Sequence, residues 1–389
     1  MSEFDYDLRL VNGKIIDFYS GKVTIGDVYI KDGVFIEGTE IGKSQFTIDA
    51  AGKYILPGLV DEHCHLNYNG SNIGTNADLL CIPMGVTTAV DAGTTGWTNY
   101  EGFYRNNIVR YVPNVFTYLH VSPYGVHSGV IHEENHDPAD FNEKEIIRKA
   151  VQYKDNIVGL KVRMCKATLG NYGVAPLKRT VEIANAIEKQ TGKKCTVDVH
   201  YDNLPDNVTV EDVFSTVRPG DVVSHVMQTH GETIFNEDGS VQQGVLNARK
   251  RGVWMDDCHG RVHWSFSNLK KAFAAGFIPD IISSDVVRIS TYVRPGSSLI
   301  HAMIVDSAAG LDELSIFKAV TYTPAKALGI LDKAGTLDIG KPADVCVMDV
   351  QDFNTVLDDF WGGSCKANKA FIPMMTIKDG VIVYRQPNF

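Results

Sequence analysis

Between residues 55 and 285 the chain passes through eight Val/Ile-rich stretches, 55–63, 86–91, 114–121, 157–163, 195–200, 221–226, 252–257 and 280–285. Each has the length of a buried parallel strand. Helical patterns lie between them. Residues 142–153 put Ile146, Ile147, Ala150 and Val151 on one face, 176–190 open on a proline and stop at Gly192, and 268–275 stop at Gly276. Strand-then-helix alternation over about 270 residues predicts an α/β fold closed as a (β/α)8 TIM barrel.

The two ends have a different texture. Short β-like runs at 7–11, 14–16, 28–30 and 34–36 carry Asn12-Gly13 and Asp32-Gly33 as hairpin turn signals, and 335–348 and 374–384, with Asp379-Gly380, repeat the pattern. The expected organisation is a small β-sandwich domain from 1–56 plus 335–389, flanking a barrel of 57–334. No internal repeat or low-complexity segment interrupts it.

A hydrophobic content of 44% over 389 residues supplies a large core, and a formal charge of −10 without any Lys/Arg cluster argues against nucleic acid or an anionic membrane as partner. The start, Met1-Ser2-Glu3-Phe4-Asp5, has no apolar leader, and no apolar run reaches the ~20 residues of a membrane helix. A cytoplasmic location is the expectation. Seven scattered cysteines without a Cys-x-x-Cys pair give neither a disulfide framework nor a structural zinc motif. Cys64 and Cys195 read as packing residues, and Cys165 and Cys258 lie just beyond strand ends.

Chemistry collects at the carboxyl ends of the strands, where packing alone does not call for polar residues. The first strand ends in His63-Cys64-His65, and strand alternation puts Leu59, Asp61, His63 and His65 on one side and Val60, Glu62 and Cys64 on the other. Two imidazoles on one side can converge on a metal ion. The fourth strand puts Gly159, Lys161 and Arg163 on one face, and a lysine inside an apolar strand needs a partner. Carboxylated by CO2, Lys161 becomes an anionic ligand able to bridge two metals. His200, His225 and Asp285 close the fifth, sixth and eighth strands.

With these residues in place the chain resembles the amidohydrolase superfamily, whose His-x-His, carboxylated Lys, His, His and Asp at those strand ends is matched by His63, His65, Lys161, His200, His225 and Asp285. The lead-in Pro57-Gly58-Leu59-Val60-Asp61 and the late run Gly340-Lys341-Pro342-Ala343-Asp344 are similar too. Gly85–Gly93, Gly159–Arg163 and Asp256–Gly260 resemble the deacetylase-like group also labelled dihydroorotase or adenine deaminase. The resemblance implies two divalent ions, zinc first, with His63, His65 and Asp285 on one, His200 and His225 on the other, and the carbamate of Lys161 and a hydroxide between them. Asp285 would move the proton.

Substrate contacts are expected at Arg163, which has either a substrate carboxylate to grip or an ion pair with Asp198 or a loop carboxylate to make. His259, past the seventh strand, either meets substrate or steadies a loop. His120, His127, His230 and His263 receive no role. The expected activity is hydrolysis of an amide or ester of a small acylated amino or hydroxy acid, with a carboxylate-bearing small molecule as partner and a homo-oligomer as the assembly. Ring opening of the dihydroorotase or hydantoinase type is the alternative. Adenine deamination ranks lower, because His200 is followed by Tyr201-Asp202 rather than a catalytic acid, and a non-enzymatic binding protein would have lost ligands.

Overall fold

A computed structural model describes residues 4–126 and 134–389. Seven strands pair in parallel and in chain order: Leu59–Cys64, Val86–Gly96, Asn114–His120, Ile157–Met164, Thr196–Tyr201, Val222–Ser224 and Trp254–Asp256. The eighth run forms no regular strand, yet it closes the ring through single parallel bridges, Ile281 to Asp256 and Val286 to Cys64. Its serines turn to neighbouring carboxylates instead of leaving the backbone to a plain ladder: Ser283 Oγ donates to Asp256, and Ser284 gives its N–H (3.0 Å) and Oγ (2.6 Å) to Asp61. The result is a TIM barrel with helices outside, among them Glu143–Gln152, capped by the Asn142 side chain, and Ala175–Thr191, ended by left-handed Gly192.

Alternation holds on the fourth strand. Leu160, Val162 and Met164 join the helix-side core, which leaves Lys161 and Arg163 inside. The first strand corrects the expectation. Its register to the second strand breaks between Leu59 and Val60 and again between Asp61 and Cys64. Val60 packs inward with Val90, Phe116 and Tyr118, and Glu62 bonds the Tyr118 hydroxyl inside the barrel, while Asp61 turns to Ser284. The bulge lets Glu62 and His63, neighbours in sequence, both face inward. Cys64 stays on the helix side, its thiol donating to the Val90 carbonyl.

The expected strand 55–63 is two strands. Tyr54–Pro57 pairs antiparallel with Val345–Asp358 in the other sheet, and the barrel starts at Leu59. Gly58 makes the crossing possible, since a Cβ there would stand 2.0 Å from Thr87 Oγ1. Both chain ends build the second sheet, of eight strands, which closes on its own core of Leu10, Ile30, Phe35, Val345, Met375 and Ile377. Asp32-Gly33 and Asp379-Gly380 are its tight turns, but Asn12-Gly13 is a bulge inside the strand Tyr6–Asp17 rather than a hairpin turn. The long hairpin of Val345–Asp358 and Ser364–Lys378 carries its tip onto the barrel, where Asp359 Oδ2 accepts the Phe266 N–H at 3.0 Å and Trp361 Nε1 donates to the Val262 carbonyl at 3.1 Å. Among the described residues no helix is long and apolar enough to cross a membrane.

Candidate active site

The carboxyl ends of the strands open into a pocket of about 360 Å³, with His63, His65, Lys161, His200 and Asp285 in its wall. The ligand atoms of His63, His65 and Asp285 lie within 4.8 Å of one another, and so do those of His200, His225 and His263. Asp285 Oδ1 stands 3.2 Å from His65 Nε2 and 3.7 Å from His63 Nε2, and Lys161 Nζ stands 3.5 Å from His63 Nε2. The His225 ring packs 5.2 Å from His63 and 4.4 Å from His200, centroid to centroid, and so joins the two groups.

Hydrogen bonds behind the rings aim their lone pairs. His225 Nδ1 is 2.7 Å from the Cys258 carbonyl, which only accepts, so the proton sits on Nδ1 and Nε2 keeps its lone pair, with the Cys258 thiol 3.9 Å away. His63 Nδ1 has Ser224 Oγ at 3.2 Å and Asp198 Oδ2 at 3.5 Å, and His65 Nδ1 has Thr94 Oγ1 at 2.8 Å. Burial holds His63, His200 and His225 well below the ordinary imidazole pKa, with neighbouring cationic groups adding to it. They are therefore neutral at pH 7, the form a metal ion takes. His200 Nε2 is buried without a hydrogen-bond partner among the described residues. A buried orphan nitrogen among imidazoles and a carboxylate fits a divalent cation.

Backbone strain is concentrated at the same place. His225, Cys258 and Asp285 take φ of 68°, 45° and 44°, left-handed values that non-glycine residues avoid. Each turns the chain sharply at the end of a strand. For Asp285, burial would raise the carboxyl pKa, but the hydrogen bond from His65 and the rings of His225 and His263 outweigh it and keep the group well below the carboxylate range. Gly260 (φ +51°) leaves it room, since a Cβ there would be 2.6 Å from Asp285 Oδ2. Gly260→Ala is expected to displace the carboxylate and lower kcat sharply while the fold survives, as checked by steady-state kinetics beside a thermal melt.

Beneath the pocket, Lys161 Nζ donates to Asp198 Oδ2 at 2.5 Å. Ser224 Oγ bridges Asp198 and Asp256, and Glu62 completes a fully buried acidic group around the lysine. Burial first, then the mutual repulsion of these carboxylates, pushes Glu62 well above its ordinary pKa; Asp256 is likewise pushed up by burial, against the Ser283 hydrogen bond.

Two expected substrate contacts have surroundings the sequence did not reveal. Arg163 lines the pocket, but its Nη1 is 2.6 Å from Glu134 Oε2 and its backbone N–H donates to His136 Nε2. Glu134 Oε1 in turn lies 3.0 Å from His120 Nε2 and 3.4 Å from His136 Nε2. Asp198, the other partner considered for Arg163, is taken by Lys161. His259 is not in the pocket wall: its Nε2 sits between Asp257 Oδ2 at 3.0 Å and Asp306 Oδ1 at 3.1 Å, and its ring packs on Trp264. Burial would lower its pKa, but the two carboxylates push it up to about 10. His259→Gln therefore leaves two buried carboxylates facing each other, at an expected cost of about 3–5 kcal/mol. That cost should appear as a lower denaturant midpoint with little change in KM, whereas a substrate contact would show first in KM.

His263, four residues on, is the pocket histidine that sequence reasoning left without a role. Its ring packs on His225 and His200 with centroids 4.1 and 5.1 Å away. Proximity to His259 in one loop was its only signal. His127 lies outside the described residues.

A barrel that gathers imidazoles, a lysine and a carboxylate at its strand ends has the architecture of a hydrolase. The amidohydrolase family pattern matches residues 246–383. A deacetylase of Enterococcus faecalis is 28% identical over 97% of this chain and 99% of its own, and a deacetylase of Agrobacterium fabrum is 29% identical over 85% and 79%. Crystal structures of an adenine deaminase and a dihydroorotase, each 26% identical, superpose with TM-scores of 0.86 and 0.85 over 98% and 97% of this chain and 100% and 98% of theirs. The chain resembles the amidohydrolase superfamily, in its deacetylase- and dihydroorotase-like group, and is a hydrolase acting on carbon–nitrogen bonds.

Proposed function

We propose that the protein is a binuclear metal-dependent amidohydrolase, deacetylase-like, that cleaves an amide or ester bond of a small acylated amino or hydroxy acid. The observation that carries this reading is the orphaned, neutral His200 among His63, His65, His225, Lys161 and Asp285 at one pocket. His63, His65 and Asp285 would hold one divalent ion and His200 and His225 the other, with zinc the first choice for such donors. When bound, the ions supply a water acidified toward neutral pH and a Lewis acid for the scissile carbonyl.

The chain's own groups do the rest. Lys161 Nζ, once it has given up its ammonium proton, would add to CO2: the carbon–nitrogen bond forms as one C=O bond opens to a carboxylate oxygen, a second proton leaves to solvent, and the carbamate nitrogen keeps one N–H for Asp198 Oδ2. A carboxylate of Asp285 takes the proton of the attacking water and returns it to the leaving nitrogen or oxygen. Ile73, Val126, Val287 and Ile289 give the pocket an apolar side that accepts a hydrocarbon group, and Arg261 adds a cation to the same wall. That pairing suits an acid with an apolar side chain. Opening of a cyclic amide is the second reading, drawn from the likeness to a dihydroorotase structure.

The test is a screen of metal-reconstituted enzyme against N-acetyl amino acids of both hands, acylated hydroxy acids, dihydroorotate, hydantoins and adenine. Turnover concentrated in the acylated acids is the expected result. A preference for dihydroorotate or hydantoins replaces this reading with the cyclic amidase, and adenine turnover replaces both.

A further inference from the structure

The pocket wall contains two guanidinium groups in unlike surroundings. Arg163 is already matched, since buried Glu134 sits 2.6 Å from its Nη1 and His120 and His136 enclose that carboxylate. Burial would raise the Glu134 pKa, but Arg163 and the two imidazoles hold it well below the carboxylate range, so the pair is neutral overall at pH 7. An arriving anion gains little from a cation whose charge is cancelled, and it would also meet Glu134.

Arg261 differs on each count. It lines the same pocket, beside Val262 and His263. Among the described residues no carboxylate pairs with it, and its one hydrogen bond runs from Nη2 to the Arg294 carbonyl at 3.3 Å. Its Nε is buried and has no hydrogen-bond partner among the described residues. A buried guanidinium N–H without an acceptor is costly in the free protein and is satisfied by a ligand that brings one.

The group is also held from outside the barrel. The ring of Phe360, at the tip of the terminal sheet's long hairpin, stacks 4.8 Å from the Arg261 guanidinium carbon. Trp361 fixes the next residue of the loop through its indole N–H on the Val262 carbonyl, and Asp359 anchors the tip to Phe266. A planar guanidinium braced on one face and lacking an acid presents its N–H edge to a carboxylate.

We infer that Arg261, rather than Arg163, takes the substrate's carboxylate, and that Phe360 is a positioning residue that keeps it aimed into the pocket. The inference rests on the proposed acylated-acid reading for its substrate and adds which residue selects it.

Two measurements on the metal-loaded enzyme separate the claims. In the first, kcat and KM are taken for an N-acetyl apolar amino acid and for its neutral carboxamide. Arg261→Met should lower kcat/KM for the acid by about 10- to 100-fold, mostly through KM, the factor that goes with one charge-assisted pair. The carboxamide should hardly change, and Arg261→Lys should recover part of the loss. Phe360→Ala should raise KM for the acid without altering kcat, with recovery in Phe360→Tyr. Equal losses on acid and carboxamide, or an acid-selective loss in Arg163→Met instead, overturn the assignment. The second measurement is calorimetric binding of phenylacetate and of phenylacetamide, which needs no turnover. Phenylacetate should bind at least 10-fold more weakly to Arg261→Met than to the wild type, and phenylacetamide equally to both. If the wild type hydrolyses no acylated acid but phenylacetate behaves this way, the activity reading fails and the Arg261 assignment stands. If phenylacetate ignores the substitution, the assignment fails whatever the enzyme hydrolyses.

Discussion

Lys161→Ala should leave a protein that no longer holds two ions and has lost about 10³-fold or more in turnover, since the charge stabilisation a metal supplies amounts to several kcal/mol. Metal analysis should give one equivalent or fewer per chain. A short-chain acid such as propionate should restore part of both, because it fits the space of the missing carbamate and brings two oxygens. The substitution also has a structural cost. It removes the group 2.5 Å from the fully buried Asp198, which stands near Glu62 and Asp256, and an uncompensated buried charge costs about 3–5 kcal/mol. The double variant Lys161→Ala, Asp198→Asn should regain most of that stability and none of the activity. A single variant that is fully metallated and fully active would sink the carbamate proposal.

Asp285→Asn isolates a different part of the chemistry. The backbone turn at φ 44° and the N–H bond from Asp285 to the His63 carbonyl at 2.7 Å do not depend on the side-chain charge, so the fold and the His63–His65 corner should persist. Asparagine still offers an oxygen toward His65 but cannot take a proton. The expected outcome is nearly unchanged metal content and a fall in kcat of about 10²- to 10⁴-fold, the range for loss of a general base. Retained turnover would remove Asp285 from proton transfer. A fall in metal content matching the fall in kcat would make it a ligand and nothing more.

The candidate ligands could be read from the chain because each sits where a strand ends. Strand periodicity placed Lys161 and Arg163 on the inner face, and the barrel confirms that face through Leu160, Val162 and Met164 packing outward. Periodicity failed at the first strand, where the bulge brings Glu62 and His63 inward together; a register shift depends on the partner strand and leaves no local mark. The eighth strand was legible as an apolar run but not as an irregular one, since the distortion comes from Ser283 and Ser284 meeting Asp256 and Asp61, the latter 223 positions away. Asn12-Gly13 carried a true local preference for positive φ, and the sheet used it for a bulge rather than a turn.

The residues around the pocket divide on the same line. Sequence by itself determined the alternation that makes a barrel and the polar strand ends that gather His63, His65, Lys161, His200, His225 and Asp285, because both follow from periods of two and 3.6 residues along the chain. Which neighbours those groups meet was decided by tertiary structure. Glu134 cancels Arg163, Asp257 and Asp306 hold His259 outside the pocket wall, and a hairpin tip about 100 residues downstream braces Arg261 through Phe360. Charge pairing acts through space over a few ångströms, and no period along the chain encodes it.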